Sequence, residues 1–200
     1  MIPYRQYTID TATWQEIEAG KYKVSKQELF DQIYDKIDVY LALDEVYKTL
    51  LASHILETYI QFKLNAVGYL FAIGQRNSGK SRACDMVAYL GYRPLYCLVI
   101  NSANIYNYIG SDEDNEGEVT IIEAEIDPKN ERKDPGRIER LKIYRNGNRK
   151  GNCVRRILDS SSSERRQVFY ETFCSKMFAG YEKPHDEALC WCKPEFKKRF

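Results

Sequence analysis

Between residues 25 and 64 the apolar side chains recur at helical spacing. Leu29, Ile33, Ile37 and Tyr40 fall every three or four positions, the period of an amphipathic helix, and Ser25 with Glu28 forms a capping signal at its start. A second helix is predicted over residues 43–64, carrying His54 on one face as an ordinary, hydrogen-bonded histidine. The pattern then changes. VGYLFAI, residues 67–73, is continuously apolar, as suits a strand buried on both faces of a parallel sheet. A loop follows, then a helix over residues 80–91 ended by Gly91. PLYCLVI (94–100) is a second buried-type strand, SANIYNYI a short helix with Ser102 at its cap, EVTIIEAEI (118–126) a third strand and KMFA (176–179) a fourth. Residues 1–24 show no clear period and are read as irregular or β-like. Strands alternating with helices predict an α/β fold, and no internal repeat breaks the series.

Composition narrows the class without naming a partner. Two hundred residues with 44% hydrophobic side chains suit one domain, or one domain with a small appendage. Thirty Lys and Arg against 29 Asp and Glu give no global attraction to polyanions, so only local clusters can. No apolar run has the length of a membrane span, and the first residues lack a signal-peptide pattern. The expectation is an intracellular, cytoplasmic protein with no membrane partner. Cys84, Cys97, Cys153, Cys174, Cys190 and Cys192 are then read as reduced thiols. Cys190 and Cys192 form C-x-C, but only His185 stands near them, too little for a zinc site.

The loop after the first strand carries the chemistry. G-x-x-x-x-G-K-S at residues 74–81 matches a Walker A spacing, with a strand before it and a helix after it. Glycine allows the turn to aim successive N–H groups at one phosphate, and the helix start adds its positive dipole end. Gly74, Gln75, Arg76, Asn77, Ser78, Gly79, Lys80, Ser81 and Arg82 are the predicted nucleotide-binding residues. Lys80 supplies charge to the β/γ oxygens, and Ser81 a hydroxyl to Mg²⁺.

Hydrolysis also needs carboxylates. Glu123, Glu125 and Asp127 alternate at the end of the third strand, so regular extended geometry places them on one face. Glu123 is assigned to the magnesium ion and Glu125 to the attacking water; a solvated strand end is the plain alternative. Just upstream, Asp112, Asp114, Gly117 and Glu123 nearly fit a calcium loop, but a strand stands where the second helix of an EF-hand belongs.

Positive charge concentrates in LKIYRNGNRKGNCVRRIL, residues 141–158, with Lys142, Arg145, Arg149, Lys150, Arg155 and Arg156 and no acid. Gly147 and Gly151 suggest a turn or hairpin rather than one continuous helix. Such a cluster fits DNA, a neighbouring subunit's nucleotide or a solvated face.

With these residues together, the chain resembles the AAA+-like P-loop ATPases of archaeal and bacterial plasmids, viruses and integrated elements, which are related to helicases and replication proteins. The resemblance covers about residues 43–192. It rests on YKTLLASHILETYIQFKLNAVGYLFAIGQRNSGKSR, on VTIIEAEI as a Walker B-like strand, on IYRNGNRKGNCVRRI and on FYETFCSKMFAG. It implies a three-layer sandwich with a mainly parallel sheet in 5-1-4-3-2 order, ATP with Mg²⁺, a homo-oligomeric ring and work on DNA. The domain reading that follows is an N-terminal helical extension over residues 1–64 packed on a P-loop core over residues 65–200, without a C-terminal helical lid. Members carry an arginine finger after the fourth strand, where this chain has ALCWCKPEF; Arg155, Arg156, Arg165 and Arg166 are the alternatives. The sensor residue expected around Gly180 to Lys183 has no clear match. Three functions are compatible with the sequence: a Mg-dependent ATPase of mobile-element replication, a nucleotide-binding switch with little turnover, and a small-molecule phosphotransferase.

Overall fold

The computed structural model describes residues 11–97, 102–109, 119–126, 135–158 and 166–181. The predicted α/β class is what it shows. Among the described residues, four strands form one sheet: β1 (Tyr69–Ile73), β2 (Pro94–Cys97), β3 (Thr120–Ile126) and β6 (Lys176–Gly180), in spatial order β1-β6-β3-β2. Every neighbouring pair is parallel. β4 (Cys153–Leu158) and β5 (Arg166–Glu171) pair separately as an antiparallel ribbon.

Helices cover both faces, which is why the strands are mostly apolar on both sides rather than alternating. On one face Tyr69, Phe71, Ile121 and Phe178 pack with Ile105, Tyr106 and Ile109 of α5 (Ser102–Ile109) and Ile143 and Tyr144 of α6 (Pro135–Asn146). On the other, Leu70, Ala72, Ile122, Met177 and Ala179 meet α4 (Lys80–Leu90) through Ala83, Cys84, Met86 and Val87. Ile33 and Ile37 of α2 (Lys26–Tyr40) and Leu51, Ala52 and Ile55 of α3 (Glu45–Ile60) complete that same core. Ser25 caps α2 as its sequence predicts, its Oγ accepting from the Glu28 amide at 3.1 Å.

Two regions differ from the sequence expectation. Residues 11–18 are helical, as α1 (Thr11–Glu18). Gly20 ends this helix at φ 76°, with Gly20 N–H donating to Ile17 O at 2.9 Å and Lys21 N–H to Glu16 O at 3.0 Å, the Schellman pattern that a left-handed glycine permits. Residues 141–146 continue α6 instead of forming a hairpin arm, and the turn begins only at Gly147. The first ten residues, the acidic calcium-like stretch from 112 to 118, Asp127, Arg165, His185 and the C-x-C pair lie outside the described residues. Among the described residues no helix is long and apolar enough to cross a membrane.

The end of α3 fastens the strands where they begin. Glu57 Oε1 accepts from Gly68 N–H at 2.9 Å, just before β1, and from Ser175 Oγ at 3.4 Å, just before β6. Thr58 Oγ1 accepts from Tyr92 N–H at 2.8 Å, ahead of β2. Gln61 Oε1 accepts from Ser175 N–H at 2.6 Å, and its Nε2 donates to Val119 O at 3.2 Å, the residue before β3. Buried main-chain groups need partners, and one helix end supplies them.

His54, on the core face of α3, is 5% exposed. Unlike the hydrogen-bonded histidine expected, its Nε2 has no partner among the described residues. Burial pulls its pKa from 6.5 to about 4. The unfolded chain therefore takes up this proton first as pH falls, and stability declines from near pH 6.5 down to about 4. Denaturant titrations at pH 7 and pH 5 should show wild type losing about 2 kcal/mol more than His54→Leu across that interval. Equal losses would mean that His54 is not held neutral by the fold.

Candidate functional site

The site is built where β1 hands over to α4. Five apolar residues of β1 end at Ile73, and the Gly74 amide donates to Gly180 O at 3.3 Å, tying the start of the loop to the end of β6. Ser78 N–H donates to Gln75 O at 3.3 Å. Asn77 and Gly79 adopt φ values of 63° and 91°. These left-handed residues reverse the chain so that α4 starts at Lys80, with Gly79 as its N-cap. Asparagine tolerates that region and glycine enters it freely. The helix thereby presents unpaired amides and its positive end to the loop.

A cavity of about 690 Å³ opens over this turn. Residues 76–82 form one wall; Tyr96 of β2, Ala124 of β3 and Gly180 and Tyr181 at the end of β6 form the rest. The structure thus brings together Arg76, Asn77, Ser78, Gly79, Lys80, Ser81 and Arg82 around one space, as the motif predicts. Gly74 and Gln75 serve it indirectly: their carbonyls accept from Lys80 Nζ at 2.9 and 2.7 Å. The Lys80 ammonium also lies 4.6 Å from the centre of the Tyr181 ring. Burial lowers its pKa, so its proton is held less firmly than on a solvated lysine.

Two observations test whether an anion fits. Ser78 Oγ is buried in the cavity wall with no hydrogen-bond partner among the described residues, a donor without an acceptor. Lys80, 9% exposed, meets carbonyl dipoles and an aromatic face among the described residues, a weaker arrangement than an ionic partner. Main-chain amides, a hydroxyl and an ammonium converging on one concave space suit phosphate oxygens. The residues present fit the phosphates of a nucleotide.

Glu123 is placed differently from expectation. Glu123 is 1% exposed and does not line the cavity; its Oε2 accepts from the Tyr144 hydroxyl at 2.7 Å. Burial, with the Glu123 charge beside it, holds the Tyr144 phenol well above its ordinary pKa. On β3, Glu123 pairs with Phe178, and Ile126 pairs with Gly180. The strand therefore carries an extra residue between them, so regular alternation does not run unbroken from Glu123 to Ile126. Ala124 meets the cavity instead. The Glu125 side chain lies outside the described residues. Among those described, no three carboxylate, imidazole or thiol side chains come together as a metal cluster.

The basic segment stands at the other end of the sheet. Arg149 forms a bridge with Ala66, Val67 N–H donates to Asn148 O and Lys150 N–H to Asn65 O, each at 3.0 Å, so the turn flanks the start of β1 while the loop follows its end. Lys142, Arg145, Arg149, Lys150 and Arg155 are exposed; the side chains of Arg156 and Arg166 lie outside the described residues. Sequence reasoning missed Tyr96 and Ala124, and looked to Gly180–Tyr181 only for a sensor residue without a clear match. Their common signal is position at the carboxyl end of a sheet strand, which becomes usable only once the strand order is known. Neither the protein-family models nor the curated proteins compared with the chain give a match.

At Gly79 an added Cβ would meet nothing within 4 Å, yet φ is 91°. The cost of Gly79→Ala is therefore backbone strain rather than collision. A loss of about 1–2 kcal/mol in urea unfolding is expected; an unchanged midpoint would show that the loop relaxes out of the left-handed region.

Proposed function

We propose that the chain is a P-loop protein that binds ATP at the β1–α4 turn and, as a Mg²⁺-dependent ATPase of the AAA+-like, helicase-related kind, serves replication of a mobile element or virus. The observation that carries it is the joining of Ser78, Lys80 and the first amides of α4 around one cavity at the carboxyl end of β1. The order β1-β6-β3-β2 supports it, because it corresponds to the 1-4-3-2 portion of the order implied by the resemblance. Phosphates seated there would draw Lys80 Nζ from the Gly74 and Gln75 carbonyls onto anionic oxygens. Magnesium, when bound, would neutralise charge between the β- and γ-phosphates. Ser81 at the start of α4 offers it a hydroxyl, and the end of β3 is the place for an acid. Glu123, which Tyr144 retains, and Glu125, assigned from the sequence to the attacking water, are the acids that β3 carries there.

Exposed charge on Lys142, Arg145, Arg149, Lys150 and Arg155 supports DNA as partner. Arg155 also pairs across the ribbon with Phe169, which is 59% exposed, and a cation beside an aromatic face suits stacked bases. A homo-oligomer is proposed with the ATPase reading, since the missing arginine would then come from a neighbouring copy. The sequestered Glu123 favours a second reading, a nucleotide-binding switch with weak hydrolysis.

ATP turnover by the purified chain, with and without single-stranded and duplex DNA, separates the two. The ATPase reading expects turnover that rises with DNA. Glu125→Gln should lower it at least tenfold while ATP still binds, and Glu123→Gln should affect thermal stability more than turnover. Background turnover with firm ATP binding would select the switch. A folded but inactive Glu123→Gln protein beside an active Glu125→Gln protein would return the acid to Glu123.

A further inference from the structure

A second concavity, about 600 Å³ in volume, runs between the end of α2 and the outer side of α4. Val39 and Tyr40 form one wall, and Arg82, Asp85 and Met86 the other. Arg82 borders both this groove and the phosphate cavity, so the two spaces are neighbours around one side chain. It lies in the first turn of α4, just past the amides on which the phosphates would sit. We propose that this groove takes the nucleoside end of the bound nucleotide, an inference that rests on the phosphate reading above. A base is flat and apolar on its faces and polar on its edges. Val39 and Tyr40 are 76% and 61% exposed, an apolar shelf left bare at the end of an otherwise amphipathic helix, and a phenol ring can stack on a base. Lys36 and Asp85, also in the wall, offer a donor and an acceptor for the base edge. The occupant is argued from continuity: Arg82 borders both spaces, so a triphosphate over residues 78–81 whose sugar end runs past Arg82 would bring its base into this groove. The N-terminal helices then have a binding role in addition to their part in the core.

The test compares ATP with inorganic tripolyphosphate by titration calorimetry, in wild type and in a Val39→Ala/Tyr40→Ala protein. Both side chains are exposed, so the double variant leaves the core intact, and tripolyphosphate binding reports that its loop is unharmed. Wild type should bind ATP at least about tenfold more tightly than tripolyphosphate. The variant should bind the two within about twofold, with tripolyphosphate affinity unchanged. Equal affinities in wild type, an ATP preference that survives the double substitution, or equal weakening of both ligands would overturn the nucleoside site and leave the phosphate reading standing. Binding of neither ligand to wild type would remove both.

Discussion

The sheet depends on the buried polar end of α3. Glu57, Thr58 and Gln61 supply partners at the entrances of all four parallel strands, where main-chain groups are buried or half-buried. Burial raises the pKa of Glu57, the cost of placing a carboxyl among strand ends, and the hydrogen bonds from Gly68 and Ser175 offset part of it. With the starts of the strands fixed in register, their carboxyl ends line up as well. Gly74, Tyr96, Ala124 and Gly180 arrive together at one rim because their strands set out together from one helix. The N-terminal helices are thus structural members of the sheet domain, sharing a core with α4.

A second buried network occupies the opposite face. Lys176 is fully buried, its ammonium donating to Thr172 O at 3.1 Å, Cys174 O at 3.0 Å and the Tyr69 hydroxyl at 3.2 Å. Tyr69 in turn donates to Tyr144 O at 2.6 Å, and the Tyr144 hydroxyl holds Glu123. The chain of contacts links the turn at Gly147, whose carbonyl Lys176 also approaches at 3.4 Å, to the acid on β3. A Cβ at Gly147 would collide with Thr172 O and Lys176 Nζ, so that glycine is required by close approach. The basic turn and β3 are therefore joined through one buried hydrogen-bonded network.

Much of this was legible in the residues. The glycine spacing at 74–79 located the turn, and continuous apolar runs located β1, β2, β3 and β6, because both signals are local. The Ser25 cap was likewise readable from four residues. What escaped depended on partners distant in sequence. Glu123 was expected at the magnesium ion because it ends a strand beside the loop, and its burial against Tyr144, a partner 21 residues on, could not be read locally. Tyr96 gave no sequence signal, since its contribution comes from strand order, and Tyr181 lay in a stretch searched only for a sensor residue. Helix α1 was missed because its few residues carry little apolar periodicity, and the left-handed Gly20 that ends it is not distinctive in sequence.

The central physical claim is that main-chain amides of the β1–α4 turn seat a nucleotide's phosphates. Backbone ¹⁵N–¹H spectra recorded during a titration with Mg²⁺-ATP test it most directly. The amides of Ser78, Gly79, Lys80 and Ser81 should shift together, saturably, and more than those of the basic turn at residues 147–151. Saturable ATP binding that leaves these four amides in place while others move would contradict the claim.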